Sequence, residues 1–422
     1  MLFYENGGEN ISLTDQDLAL GLKEALHKAA PASSTKKVLT IPPDITRFHS
    51  KAGVLTKAAV DFYEQKLTDI MPALGTHYPM KDNEIDEMYP GIDHKLFRSH
   101  KWRTDLHTLG IVPSEYIKEV SGGILDFDWP AQVNTLLVEG GFDLILSIGQ
   151  VVPHEIIGFA NHNKNIFVGT GGSEGIHKSH FLGAAYGMER IMGHRDSPVR
   201  KVLNYASDHF AKELPLLYAL TVISPDEQGN LHCRGLFIGD GYECFEKAAA
   251  LSEKVNFTKV EKPLERVVVY LDPKEFRSTW LGNKSVYRTR MAIADGGELI
   301  VIAPGLKEFG EDKQIDSLIR KYGYFTTPET MKKVEENDDL KENLSAAAHL
   351  IHGSSEGRFS ISYAPGYLTK EEIESVGYKY ADLHKTMDRF LISDKHNGFH
   401  RDSKGEEFYY IANPALGLWS CK

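Results

Sequence analysis

Four histidines and two lysines crowd the stretch VPHEIIGFANHNKNIFVGTGGSEGIHKSHF, from Val152 to Phe181. Lys164 follows His154 by ten residues, and His180 follows it by twenty-six. Imidazoles titrate near neutrality and serve as acid, base or metal ligand. A lysine amine freed of its proton is a nucleophile. The stretch therefore holds, within one loop system, candidates for a base at His154, a covalent attachment point at Lys164 and a metal ligand at His180. The alternative is fold chemistry, with histidines capping loops and helix ends. His162, His177 and Lys178 are assigned to that supporting role.

Other residues could act with them. Asp44-Ile45-Thr46-Arg47 sets a carboxylate, a hydroxyl and a guanidinium on a short loop behind two prolines. Arg47 can grip a carboxylate with two parallel hydrogen bonds. Alternatively, Asp44 and Arg47 satisfy each other in a turn. His77 lies in a Gly-Thr-His-Tyr-Pro loop, where a lone histidine is either functional or simply exposed. Gly171 and Gly172, in VGTGGSEG, would let backbone amides approach a phosphate at a helix start. The run matches neither the dinucleotide fingerprint nor the phosphate-loop motif. Lys284, in WLGNKSVYRTRMA, is either a site lysine or a surface charge beside a packed Trp280. His352, in HGSSEGRF, receives no role.

These residues need elements to place them. Thr14 to Ala30 has leucines at helical spacing and a Thr14/Asp17 capping pair. Lys37 to Ile41 reads as a strand stopped by Pro42-Pro43, followed by a helix from Val54 to Leu67. Phe142 to Ile148, FDLILSI, reads as a strand covered on both faces. Asn165 to Val168 reads as another short strand. Sites in open α/β sheets collect beyond the carboxyl ends of strands, which is where the polar loops fall. Beyond KVEKPLE, ERVVVYLDP, GGELIVIAPG and RFSISY read as strands, with helices over Asn283–Ala294, around Asp316–Lys321 and over Lys370–Val376. The expected fold is α/β, with two α/β domains of mainly parallel sheet and the active site in the cleft between them. The boundaries are 1–262 for a cofactor- and metal-binding catalytic domain and 263–422 for a domain closing over substrate, its tail packing back on the first.

The 422 residues are 41% hydrophobic and 25% charged, enough for sizeable cores. A net charge of -11 excludes nucleic-acid binding by bulk electrostatics. Three cysteines, Cys233, Cys244 and Cys421, make neither a disulfide framework nor a zinc finger, which fits a reducing compartment. With no secretory leader and no membrane-length apolar run, the expectation is a cytoplasmic protein with no membrane partner.

Taken in order, the loops resemble those of the nickel-dependent lactate racemase family, over roughly Val38 to Gly366. The resemblance rests on the Asp-x-Thr-Arg loop, the Gly-x-His loop and the spaced His, Lys and His. It implies a nickel-pincer nucleotide, a pyridinium mononucleotide whose thioamide and thiocarboxylate hold nickel through two sulfurs and a ring carbon. It further implies that Lys164 carries this cofactor covalently, that His180 ligates the nickel, and that Asp44 helps hold the cofactor alongside Thr46, Gly171 and Gly172. His77 and His154 are then the acid/base pair, Arg47 binds the substrate carboxylate, and Lys284 stands on the substrate side with Trp280 near it. Cofactor-synthesis enzymes are implied partners.

The family's Ser-Gly-Gly-Arg-Lys lysine loop is here Ala-Asn-His-Asn-Lys, and Leu281 replaces a polar residue. Asn161, Asn163 and Asn165 could meet a hydroxyl-rich acid, which puts a sugar-acid 2-epimerase ahead of a lactate racemase. Equally, they could only tie down the loop. Two other readings are a zinc hydrolase built on His154, His177 and His180, and a non-enzymatic protein that binds a sugar acid or a nucleotide.

Overall fold

The computed structural model describes residues 1–226, 229–390 and 396–421. The chain forms two compact units. The first comprises Met1–Leu182, Ile191–Asp226 and Leu231–Val255; the second is built on Gly183–Arg190 and the chain from Asn256 onward.

In the first unit Val38–Ile41 and Leu144–Gln150 are almost wholly buried, as continuous apolar runs require. They lie side by side in a six-stranded sheet of order Leu2–Gly7, Leu231–Gly239, Leu216–Pro225, Leu144–Gln150, Val38–Ile41, Leu67–Ile70. The last four strands are mutually parallel, and the first two are antiparallel additions at one edge. Helix Asp15–Ala29 starts at the expected capping box, with Thr14 and Asp17 bonded reciprocally. Its Leu18, Leu22 and Leu26 are fully buried against Val38, Leu146 and Ile148.

Sequence reading and structure part at two places here. The helix expected to reach Leu67 is Ala52–Tyr63. It ends at Glu64, which adopts a positive φ of 50°, and Leu67 instead opens the edge strand Leu67–Ile70. Asn165 to Val168 is not a strand but a π-helical turn, Asn165–Gly169. Short apolar runs do not distinguish helix from strand. Here the Asn165 amide decides, donating to the Ile41 carbonyl (3.2 Å) and Ser147 Oγ (3.1 Å) and anchoring the turn over two strand ends.

The second unit has a six-stranded sheet of order Lys379–Tyr380, Ser360–Pro365, Ile293–Ala303, Leu264–Tyr270, Glu407–Ile411, Gly398–Arg401. All pairings are parallel except the last. Val268, Ile300, Ile302 and Phe408 form its core. Helices Lys313–Tyr322 and Lys370–Ser375 fall where the sequence places them. The final strand, Leu418–Cys421, pairs in parallel with Phe257–Val260 within this unit. The helix expected over Asn283–Ala294 is instead two single turns, Thr279–Gly282 and Lys284–Tyr287, followed by a strand from Ile293. The break falls at Asn283, whose side-chain oxygen accepts from the hydroxyls of Tyr363 (2.8 Å) and Tyr378 (3.1 Å). Both units are thus α/β with mainly parallel sheets. Among the described residues no helix is long and apolar enough to cross a membrane.

Candidate active site

Three loops meet beyond the carboxyl ends of the parallel strands in the first unit. Pro42 and Pro43 end the strand Val38–Ile41, and Asp44 caps the 3-10 turn Ile45–Ser50. The loop 71–77 runs beside them, with Met71 N donating to Thr40 O (2.9 Å) and Ala73 N to Pro42 O (2.8 Å). Gly75 N then donates to Gly169 O at 2.8 Å, tying this loop to the π-turn that follows Lys164. Asp44, His77 and Lys164 are therefore held by one set of backbone hydrogen bonds.

Asp44 is buried and both its oxygens are engaged. Oδ1 accepts from Thr46 N (3.1 Å) and from the Thr46 hydroxyl, and Oδ2 lies 2.6 Å from His77 Nδ1. Burial alone would raise its pKa. The His77 imidazole, the Thr46 hydroxyl and the Arg47 guanidinium outweigh burial and hold the carboxyl below its usual value. An ionised Asp44 fixes the His77 proton on Nδ1 and leaves the lone pair on Nε2. Asp44, which the resemblance gives to the cofactor, thus also orients a histidine.

His154 is reached differently. Pro153–His154 and Gly158–Phe159 form a two-residue antiparallel ribbon just past the strand Leu144–Gln150. The imidazole is buried, 6% exposed, and its Nδ1 accepts from Ile156 N at 3.2 Å. That bond favours the tautomer protonated on Nε2, opposite to His77. Glu155 Oε2 stands 3.6 Å from the same Nδ1, a partner for the ring when it is charged.

The ribbon's second arm leads through Asn161 and His162 to Lys164. Burial pushes the Lys164 amine down to about 8, aided by the positive charges of Arg47 and Arg200 and opposed by Glu155 and Asp44. A substantial fraction of this amine is thus neutral, and nucleophilic, at mildly alkaline pH.

The asparagines around it are committed to the protein. Asn163 Nδ2 donates to Asn204 Oδ1 (2.8 Å) and Ser207 Oγ (3.1 Å), and its Oδ1 accepts from Arg200. Asn165 is spent on the strand ends, and Asn161 Oδ1 accepts from His162 N at 2.7 Å. They carry no argument for a hydroxyl-rich substrate. His162 packs among Tyr218, Tyr242 and Phe245, and burial pushes it down to about 3. It is a core histidine.

Close packing against backbone requires Gly171, whereas Gly172 meets only side chains. A Cβ on Gly171 would stand 1.9 Å from Phe167 O, and one on Gly172 2.1 Å from Gln132 Oε1. Buried His100, which the sequence did not single out, braces this loop. Asn134 Nδ2 lies 3.0 Å from its Nδ1, and its Nε2 lies 2.9 Å from Gly171 O.

His180 sits on helix Ser173–Tyr186, with Nδ1 2.7 Å from the Ile176 carbonyl one turn back. That contact places the proton on Nδ1 and the lone pair on Nε2, the state a metal ligand needs. His177, three residues earlier, lies 6.4 Å from the Trp102 ring, and Lys178 bonds Glu174 (2.6 Å) and Asp128 O (2.7 Å). Among the described residues no three His, Cys, Asp or Glu side chains stand close enough to hold a metal ion. A zinc centre of His154, His177 and His180 is therefore not formed. A metal held through His180 must arrive with a ligand that brings most of its own donors, and the residues fit a group of that kind.

Lys284 belongs to the second unit, its ammonium 5.6 Å from the centre of the Phe276 ring. Neighbouring Trp280 stacks on His349 with ring centres 4.5 Å apart. His349 Nε2 lies 2.9 Å from the Tyr324 hydroxyl, in a buried network that Asn283 joins. This network also escaped sequence reading.

The profile of the lactate racemase N-terminal domain matches residues 22–190. These residues hold every candidate above except Lys284. No curated protein matches the chain. Among solved structures, a Thermotoga maritima protein is 26% identical, with TM-score 0.82, covering 99% of this chain and 100% of its own. The lactate racemase apoprotein from Thermoanaerobacterium thermosaccharolyticum is 16% identical, with TM-score 0.71, covering 97% and 93%; it shows the same fold.

Proposed function

We propose, from the premise that this chain is a lactate racemase-family homologue, that it inverts the hydroxyl-bearing C2 of a 2-hydroxy acid with the help of a nickel-pincer nucleotide. The observation that carries this reading is Lys164. A lysine whose amine burial brings to about 8 lies between loops bearing two histidines in opposite tautomers.

The chain's own residues divide the work. Lys164 would hold the nucleotide covalently through its amine, and His180 Nε2 would give the metal an imidazole donor. When bound, the group supplies a hydride acceptor, so that the α-hydrogen can leave with its electron pair. Arg47 pairs with the substrate carboxylate and fixes its orientation. His77, with its lone pair on Nε2, would take the hydroxyl proton; His154 would enter as the charged imidazolium, with Glu155 3.6 Å from its Nδ1, and return to the neutral ring by giving its Nε2 proton back. Inversion in the other sense exchanges these roles, and Glu155 beside His154 supports the charged ring that exchange requires. Lys284 is assigned to the substrate oxygen. Cofactor-synthesis enzymes would load the protein.

The test is co-expression with nickel-pincer synthesis enzymes, followed by intact-mass and metal analysis and a chiral assay on lactate and on C5 and C6 aldonates. The expected result is a nucleotide-sized adduct mapped to Lys164, bound nickel, and loss of optical purity at C2 of one acid class. Loaded protein that leaves both classes untouched, or an adduct on another residue, overturns the reading.

A further inference from the structure

The segment that delivers Lys164 is bent at a cost. Asn161 and His162 both take left-handed backbone conformations, with φ of 68° and 58°. Such a conformation is uncommon outside glycine, although asparagine and histidine adopt it more readily than most residues. It persists only where the surroundings over-determine it.

Those surroundings can be named. Helix Pro198–Phe210 grips the segment with Arg200, Asn204 and Ser207, which share one face at four- and three-residue spacing. Arg200 Nη2 donates to Phe159 O at 2.7 Å, and Nη1 donates to Asn161 O at 3.3 Å and to Asn163 Oδ1. Asn204 and Ser207 accept from the other end of Asn163. On the far side the His162 ring is boxed by aromatic side chains, its Nε2 3.2 Å from Gly241 O.

Arg200 is an odd choice for a clamp of this kind. It is 2% exposed, its guanidinium lies over the Phe245 ring at 4.1 Å, and among the described residues no carboxylate forms an ion pair with it. Burial pushes its pKa down to about 9, only partly offset by Tyr218, Glu246 and Tyr242, so keeping it charged there is expensive. A neutral amide has two N–H donors, too few for the three oxygens that this guanidinium reaches.

We propose that Arg200 is the positioning residue for Lys164: its planar fork locks Phe159 to Asn163 into the one bend that aims the lysine amine into the site, and its charge stands behind that amine. The charge acts in the useful direction. Arg47 and Arg200 oppose protonation of Lys164 together with burial, against Glu155 and Asp44. The value of an aimed, neutral amine rests on the reading of Lys164 as the attachment point; the clamp itself does not.

The experiment uses apo protein and a small activated ester as probe. Acylation of Lys164 is followed by peptide mass spectrometry across pH 6–11, with exposed Lys118 as internal reference. Arg200→Gln removes the charge, and Arg200→Lys keeps the charge but loses the fork. In Arg200→Gln the midpoint for Lys164 should move up, slowing acylation at pH 8 by about twofold relative to Lys118. In Arg200→Lys the midpoint should hold while the plateau rate falls. If both variants melt as wild type and acylate with its midpoint and rate, the proposal is wrong. Should either variant misfold, Asn204→Ala removes one arm of the same clamp, and an unchanged Lys164 rate there overturns the proposal equally. Because the probe reads an amine in the apo protein, a failed racemisation assay leaves this result intact, and an unchanged midpoint leaves the racemase reading intact.

Discussion

His77 Nδ1 lies 2.6 Å from Oδ2 of buried Asp44, which is itself held by the backbone and hydroxyl of Thr46. The carboxylate keeps its charge below the usual range of an aspartate because the imidazole and Arg47 face it. In this pair the aspartate sets the tautomer of the base.

Asp44→Asn tests that relation. The amide is nearly isosteric and can still accept from Thr46, but it can no longer stabilise a charged imidazole at His77. The expected outcome is a fall in kcat on the order of 10²-fold with KM little changed, since general-base contributions run from about 10² to 10⁴. Steady-state kinetics of the loaded variant decide it. A KM rise at constant kcat would return Asp44 to a binding role.

Lys164 carries a stability signature of its own. Its amine is pushed from 10.5 down to about 8 in the folded protein, so the unfolded chain binds more protons between those values. Stability should therefore rise with pH across that window. Lys164→Met should abolish both the covalent adduct and this alkaline rise, while raising the melting temperature at pH 7 by removing a desolvated charge. Thermal melts at pH 7, 9 and 10.5 measure it. An alkaline rise that survives the substitution would assign the effect elsewhere.

How much of this was legible beforehand follows from what each residue bonds to. Val38–Ile41 and Leu144–Gln150 announce themselves because both faces are buried and every residue before Gln150 is apolar or small. The capping box at Thr14 is a local pattern and came out as expected. The π-turn after Lys164 did not, because its cause is Asn165 bonding to Ile41, 124 positions away, and to Ser147, 18 positions away. The break at Asn283 has the same origin, in tyrosines 80 and 95 positions on. Arg200 had a usable local signal: Val199, Val202, Leu203 and Ala206 are all buried, so the repeat puts residue 200 beside the core. An arginine at such a position invites the question of what it holds. The Asp44–His77 pair had none, since nothing in either loop points across to the other.

His180 and Lys164 should separate metal from tether. Under the proposed reading His180, with its proton directed to Ile176 O, would contribute a single nitrogen donor and no covalent bond. His180→Ala should keep the nucleotide-sized adduct on Lys164 yet lose most of the nickel on dialysis. Lys164→Ala should lose the adduct and the nickel with it. Intact mass and metal content of the same samples give the answer. Nickel retained in His180→Ala at wild-type stoichiometry would mean another donor completes the metal's coordination.

His162 makes the acid limb of stability specific. Its ring is boxed by Tyr218 at 4.0 Å, Phe245 at 5.4 Å and Tyr242 at 5.6 Å, and burial holds it near 3 against 6.5 in the open chain. As pH falls below 6.5, the unfolded chain takes up a proton that the folded one refuses, and stability is lost. Between pH 6.5 and 5 this amounts to about 1.6 kcal/mol, because the open-chain ring is already half protonated at pH 6.5. Burial also holds His100 and His177 below the usual value, so the share of this ring is the difference between wild type and a variant that lacks it. His162→Asn accepts the left-handed backbone and cannot titrate. It should be less stable than wild type at pH 7, having left the aromatic box part empty, yet lose less on acidification to pH 5. Urea unfolding at pH 7 and pH 5 compares the two directly. Equal losses in both proteins would show that His162 is protonated in the folded state, and that its box is open to water.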